Sequence, residues 1–82
     1  MLITKEDKDV RLVTTRPLEC YLIDTSGQLD VYPERAFLLP AGTEVVFKHS
    51  LNYRGSHRAI FTVGPKEWQA QAFWSIFKDS VK

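Results

Sequence analysis

The chain has 82 residues, a length that supports one hydrophobic core and rules out two. Hydrophobic residues make up 44% and charged residues 26%, the proportions of a folded globular chain and not of a disordered, collagen-like or coiled-coil one. With 11 Lys and Arg against 10 Asp and Glu the net charge is +1, which excludes both a strongly cationic nucleic-acid coat and an acidic mimic of DNA.

In chain order, Met1 to Thr4 is expected as an edge strand. It runs straight into Lys5-Glu6-Asp7-Lys8-Asp9, so it lacks the apolar stretch of a signal peptide. No segment approaches the ~18 apolar residues that span a bilayer. Val10 to Thr15 reads as a strand ended by Arg16-Pro17, because proline cannot donate to a ladder. Leu18 to Asp24 follows, and its apolar run Cys20-Tyr21-Leu22-Ile23 suggests burial on both faces. Asp24-Thr25-Ser26-Gly27 is a turn. Leu29 to Tyr32 alternates as a strand, Pro33-Glu34-Arg35 interrupts it, and Ala36 to Leu39 forms the next short strand before Pro40-Ala41-Gly42.

The clearest unit is a hairpin of Thr43 to His49 and His57 to Val63 around the loop 50–56. The register predicted for it sets His49 opposite His57, Phe47 opposite Ala59, Val45 opposite Phe61 and Thr43 opposite Val63 on the core face. Glu44 then faces Thr62, Val46 faces Ile60 and Lys48 faces Arg58 on the other side. Gly64 ends the second strand. Pro65 suits a first helical position and Glu67 a first turn, so a helix is predicted over about 65–81, with Ala70, Phe73, Ile76 and Phe77 as its apolar stripe and Trp68 at the far margin. The fold class is therefore α+β: one domain, 1–82, built as a small antiparallel β-meander or SH3-like or OB-like barrel of five to six short strands over about 10–63, closed by one C-terminal α-helix.

The residues that could carry chemistry are few. The four glycines stand singly at turns, so no nucleotide-binding loop exists. One Cys and two His do not make a zinc site, and no cofactor or metal is expected. Cys20 has no partner for an intramolecular disulfide, which points to a reducing, cytoplasmic home, and its apolar strand reads as that of a buried, inert thiol. His49 and His57, side by side in the predicted register, read as ordinary hydrogen-bonded imidazoles. The sharper alternatives are a weak metal site, a pH-responsive pair, or a metal-independent ribonuclease with Lys48 as anion stabiliser. Asp24, Asp30 and Glu34 read as solvated charges. A non-enzyme is expected.

Charge is uneven: residues 1–34 sum to −3 and residues 35–82 to +4, and Val45 to Lys66 contains Lys48, Arg54, Arg58 and Lys66 with no acid. Lys48 opposite Arg58 would repel unless an anionic group lay over the pair. Tyr53 and Arg54 extend that surface, and Trp68 supplies an interface anchor. Lys48, Tyr53, Arg54, Arg58 and Trp68 are thus the candidate partner-binding residues. The expected partner is a protein with an acidic surface, and the alternative is nucleic acid, with single strands stacking on Tyr53. In its small size and its poverty of motifs and cysteine, the chain resembles the accessory and inhibitor proteins that phages direct against host machinery. That resemblance is one of type and identifies no target.

Overall fold

The computed structural model describes residues 3–24, 26–27 and 29–82. These form six strands, β1 (Val10–Val13), β2 (Leu18–Leu22), β3 (Ala36–Leu39), β4 (Glu44–Tyr53), β5 (Ser56–Val63) and β6 (Trp68–Phe73), and a short helix, α1 (Trp74–Phe77). All pairings are antiparallel, and the strand order is β1-β4-β5-β6-β2-β3. The expected α+β class, a small β-rich fold with one C-terminal helix, is present as an open six-stranded sheet. No helix of the described residues is long and apolar enough to cross a membrane.

The connections force the sheet to curl. From Val13 to Leu18 the chain reaches at most about 17 Å, whereas β1 and β2 stand four strand spacings apart, about 19 Å in a flat sheet. Curling brings the end of β1 to the end of β3, and Thr14 fastens the two. Its Oγ1 donates to the Pro40 carbonyl at 2.8 Å and accepts from the Thr43 N–H at 2.9 Å. Its backbone bonds Thr43 at 2.9 Å and Gly42 at 2.7 Å. Thr14 is only 2% exposed, so Thr14→Val, which keeps the shape and deletes both hydroxyl bonds, is expected to cost about 1–2 kcal/mol. A lower urea midpoint at unchanged slope would register the loss.

Period-two alternation sorts the strands. Val10, Leu12, Leu18, Cys20, Val45, Phe47, Ala59, Phe61, Ala70 and Ala72 point to the concave face and, with Ile3, Leu39, Trp74 and Phe77, make the core. Three alanines on that face leave room for α1 to lie against β5 and β6. Phe77 stacks on Phe61 with ring centroids 5.0 Å apart, and Phe47 lies 5.6 Å from Phe77 and 5.7 Å from Trp74.

Six expectations need correction. The helix predicted over 65–81 is instead a turn at Gly64–Glu67, strand β6 and then α1, because pairing with β5 and β2 captures the alternating Trp68, Ala70, Ala72 and Gln69, Gln71, Phe73. The hairpin loop 50–56 shrinks to two residues, Arg54 and Gly55, at φ 54° and 82°, the positive values that match the right-handed twist of a hairpin. The Asn52 side chain accepts from the Gly55 N–H at 2.9 Å and secures this turn. The register moves accordingly: Phe47 faces Phe61, Val45 faces Val63, Val46 faces Thr62, and Lys48 is the extra residue of a bulge. Leu29 to Tyr32 forms no strand, and the side chains of Arg58 and Gln71 hold the Leu29 carbonyl over the outer face. Of the expected strand at 1–4, Ile3 and Thr4 are not in a strand, although Ile3 plugs the core, and Met1 and Leu2 lie outside the described residues. Of Cys20 to Ile23 only Cys20 is buried: Tyr21 and Ile23, on the outer face, are half-buried, and Leu22, on the same face as Cys20, is 37% exposed.

Candidate functional site

The hairpin cations are each engaged within the chain. The bulge at Lys48 throws its ammonium toward Asp9, 2.5 Å away. This hydrogen bond and the attraction behind it hold the Asp9 carboxyl below its ordinary range and raise Lys48 above its own. Arg54 sits in the turn, its guanidinium 5.2 Å over the Tyr53 ring and its Nη1 3.6 Å from Asp30. With the Arg54 side chain 75% exposed, that ion pair contributes little.

Arg58 lies deep in the structure, 8% exposed, opposite Leu51 on one side and Phe73 on the other. The expected Lys48–Arg58 pair is therefore absent, and with it the repulsion that called for an anion. Arg58 Nη1 donates to the Leu29 carbonyl and, at 2.8 Å, to Gln71 Oε1. Gln71 Nε2 donates to the same carbonyl at 2.8 Å. The guanidinium also lies between the rings of Tyr53, at 5.2 Å, and Phe73, at 5.5 Å. Nε is buried and finds no partner among the described residues. Arg58 thus fastens the segment around Leu29 over the outer face of the sheet.

His49 faces Ile60 on that outer face, whereas His57 faces Asn52 on the other, so the two imidazoles are not side by side. Among the described residues no group of three or more His, Cys, Asp or Glu is placed to hold a metal ion. Cys20 is fully buried, with Sγ 3.8 Å from the Phe37 carbonyl. Burial, aided by the Glu19 carboxylate, pushes the thiol from 9.0 up to about 12. The raised value means that its contribution to stability is complete below pH 9 and is lost as pH rises from there toward 12. Cys20 is expected to resist thiol reagents at pH 8 until the chain unfolds. Rapid alkylation of the native protein would contradict its placement.

Trp68 is set apart from the other candidates. It pairs with Val63, at the end of β5 remote from the Arg54–Gly55 turn, about 23 Å along the strand. The turn before it and its short neighbours leave it 58% exposed on the concave side. There it borders a groove of about 810 Å³ with Leu22, Ile23, Asp24, Arg35 and Glu67. A recess of about 330 Å³ continues it past Ala36 and Phe37. Arg35 is pinned at the groove by Asp24, 3.0 Å away, and by Tyr32, whose ring it covers at 5.1 Å. The helix covers the far part of the core and leaves this end of the concave face open. A second cleft, of about 500 Å³, between β1, β4 and the Gly64–Glu67 turn carries Arg11, Glu44, Glu67 and Lys82 and presents no exposed aromatic anchor.

The structure therefore brings Tyr53, Arg54 and Arg58 together, leaves Lys48 with Asp9, and sends Trp68 to a separate groove. Sequence reasoning missed Leu22, Arg35 and Phe37. Only the β2–β6 and β2–β3 pairings, which join distant parts of the chain, put them beside Trp68. Comparison of the chain with family models, with curated proteins and with solved structures finds no match, and the functional reading rests on this geometry.

Proposed function

We propose that the protein is a small non-enzymatic binding module that docks on a protein partner, in the manner of an accessory or inhibitor protein, with Trp68 as its anchor. The observation that carries this reading is the 58% exposed Trp68 beside the 37% exposed Leu22 over an open groove. Exposed indole is costly to leave in water, and Trp, Tyr and Arg dominate binding hot spots. The basic hairpin end plays a lesser part, because Arg58 is buried in the fold and Lys48 is paired with Asp9, which leaves Arg54, 75% exposed, as the most accessible cation of the three. The groove itself is balanced, with Asp24 and Glu67 against Arg35 and Lys66, so the preference for an acidic partner surface rests on the +4 charge of residues 35–82 alone.

Affinity capture from lysate followed by binding kinetics tests the reading. Trp68→Ala should keep the fold and weaken the captured partner by about 30-fold or more, the effect of a hot-spot residue. Arg54→Ala should alter mainly the association rate, and only if the partner is acidic. Equal affinity for wild type and Trp68→Ala would refute the assignment. Submicromolar binding to single-stranded RNA or DNA that survives ~0.2 M salt would replace it with the nucleic-acid reading.

A further inference from the structure

The two edges of the sheet are treated differently. Beyond β1 the C-terminal residues close the ladder: Val13 N–H donates to the Lys82 carbonyl at 2.8 Å, Lys82 N–H returns to Val13 at 2.9 Å, and Thr15 N–H reaches Ser80 at 2.7 Å. Strand β3 pairs with β2 alone, and among the described residues nothing bonds its outer edge. Edge strands are ordinarily blunted by shortness, charge, proline or a bulge. Strand β3 is short, at four residues, but Ala36-Phe37-Leu38-Leu39 holds no charge, proline or bulge, and Leu38 is 64% exposed. The Trp68 groove opens at the start of this same strand, at Ala36 and Phe37.

We propose that the free edge of β3 and the Trp68 groove together receive a short extended segment of a partner protein, added to the sheet as a seventh strand with an apolar side chain seated in the groove. The inference rests on the docking reading above and names the form in which the partner is held. Unpaired backbone donors and acceptors on an edge recognise extended chain, and side-chain pockets beside it read alternate residues. The 3-10 turn Pro33–Arg35 before β3 and Pro40 after it limit the ladder to four residues, so the segment is about four to six residues long.

A second copy of this chain fits less well. Paired edge to edge, it would present on the groove side Phe37 and Leu39, which are already committed to its own core. The groove would stay unfilled. Four residues of ladder would also bury far less than the roughly 1,000 Å² that a specific dimer needs. A segment of another protein has its groove-side residue free.

The test uses the full chain and peptides selected on it from a random twelve-residue display library. The tightest peptide is resynthesised with one N-methyl group at each position in turn, and affinity is read from tryptophan emission. Strand addition predicts an alternating pattern: methylation at every second position within a four-residue window weakens binding about tenfold or more, because each removes a ladder donor, and the intervening positions change it less than about twofold. Trp68→Ala weakens the same peptide, and amide exchange slows on binding at those alternate residues of Ala36–Leu39 whose N–H points away from β2. Binding indifferent to N-methylation, or a library that yields nothing tighter than about 100 μM, overturns strand addition. Either result leaves the docking reading to stand or fall by Trp68-dependent capture of a folded partner.

Discussion

Phe77→Ala is expected to lower the unfolding free energy by about 3–5 kcal/mol, the usual cost of truncating a buried phenylalanine. Phe77 is fully buried and touches the rings of Phe47, Phe61 and Trp74, so its loss opens a cavity at the point where α1 meets the sheet. The three alanines beneath the helix, Ala59, Ala70 and Ala72, have no long side chains with which to fill it. A domain of this size has a total stability on the order of 5–10 kcal/mol, and the variant should be partly unfolded near 37 °C. The neighbouring Ile76, 46% exposed, is the control, and its alanine variant should lose under ~1 kcal/mol. Equal losses at the two positions in urea unfolding would mean that α1 does not complete the core.

Arg58→Ala carries the second large effect, a loss of about 2–3 kcal/mol. It leaves Gln71 Oε1 without its donor, removes one of the two donors on the Leu29 carbonyl, and empties the space between Tyr53 and Phe73. Arg58→Lys should recover little, since a compact ammonium cannot donate to both acceptors while lying flat between two rings. With Gln71→Leu added, the combined loss should fall short of the sum by about 1 kcal/mol, as expected for residues of one network. Amide exchange at Leu29 to Tyr32 should accelerate in Arg58→Ala and stay unchanged in Arg54→Ala. The reverse would place the fastening of that segment at the hairpin tip. Removing Lys48, Arg54 and Arg58 together should likewise destabilise the fold, chiefly through the buried Arg58.

Legibility followed punctuation. Ala36–Leu39 was found to the residue, and β1 and β2 to within two residues at either end, because Pro17, Pro33 and Pro40 bound them where proline must. The C-terminal third was misread because Ala, Gln and Phe at 69–73 suit either period. The apolar positions 70, 73, 76 and 77 fit a helical stripe, and 68, 70 and 72 fit a strand whose inward residues are mostly the low-contrast alanine. Pairing on both sides, by β5 and β2, decided for the strand. The β4–β5 register failed for two local reasons. Arginine is an uncommon occupant of a positive-φ turn position, and a bulge at Lys48 shifts every later pair by one residue. From that register followed the errors at the site, the adjacent histidines and the Lys48–Arg58 pair. Trp68 was placed at the margin of a helical stripe that does not form, and its exposure comes instead from its position at the start of β6, just after the Gly64–Glu67 turn. Its groove was not legible, since Leu22, Arg35 and Phe37 meet it only through the β2–β3 and β2–β6 pairings, which join parts of the chain far apart in sequence.

The most direct test of Trp68 as the docking anchor is a map of amide and indole NMR signals of the labelled protein as its captured partner is added. The indole N–H of Trp68 and the amides of Leu22 and Phe37 are expected to shift or broaden first, with Tyr53, Arg54 and Gly55 at the hairpin tip unchanged. Perturbation centred on Tyr53 to Gly55, with the Trp68 indole unmoved, would contradict it.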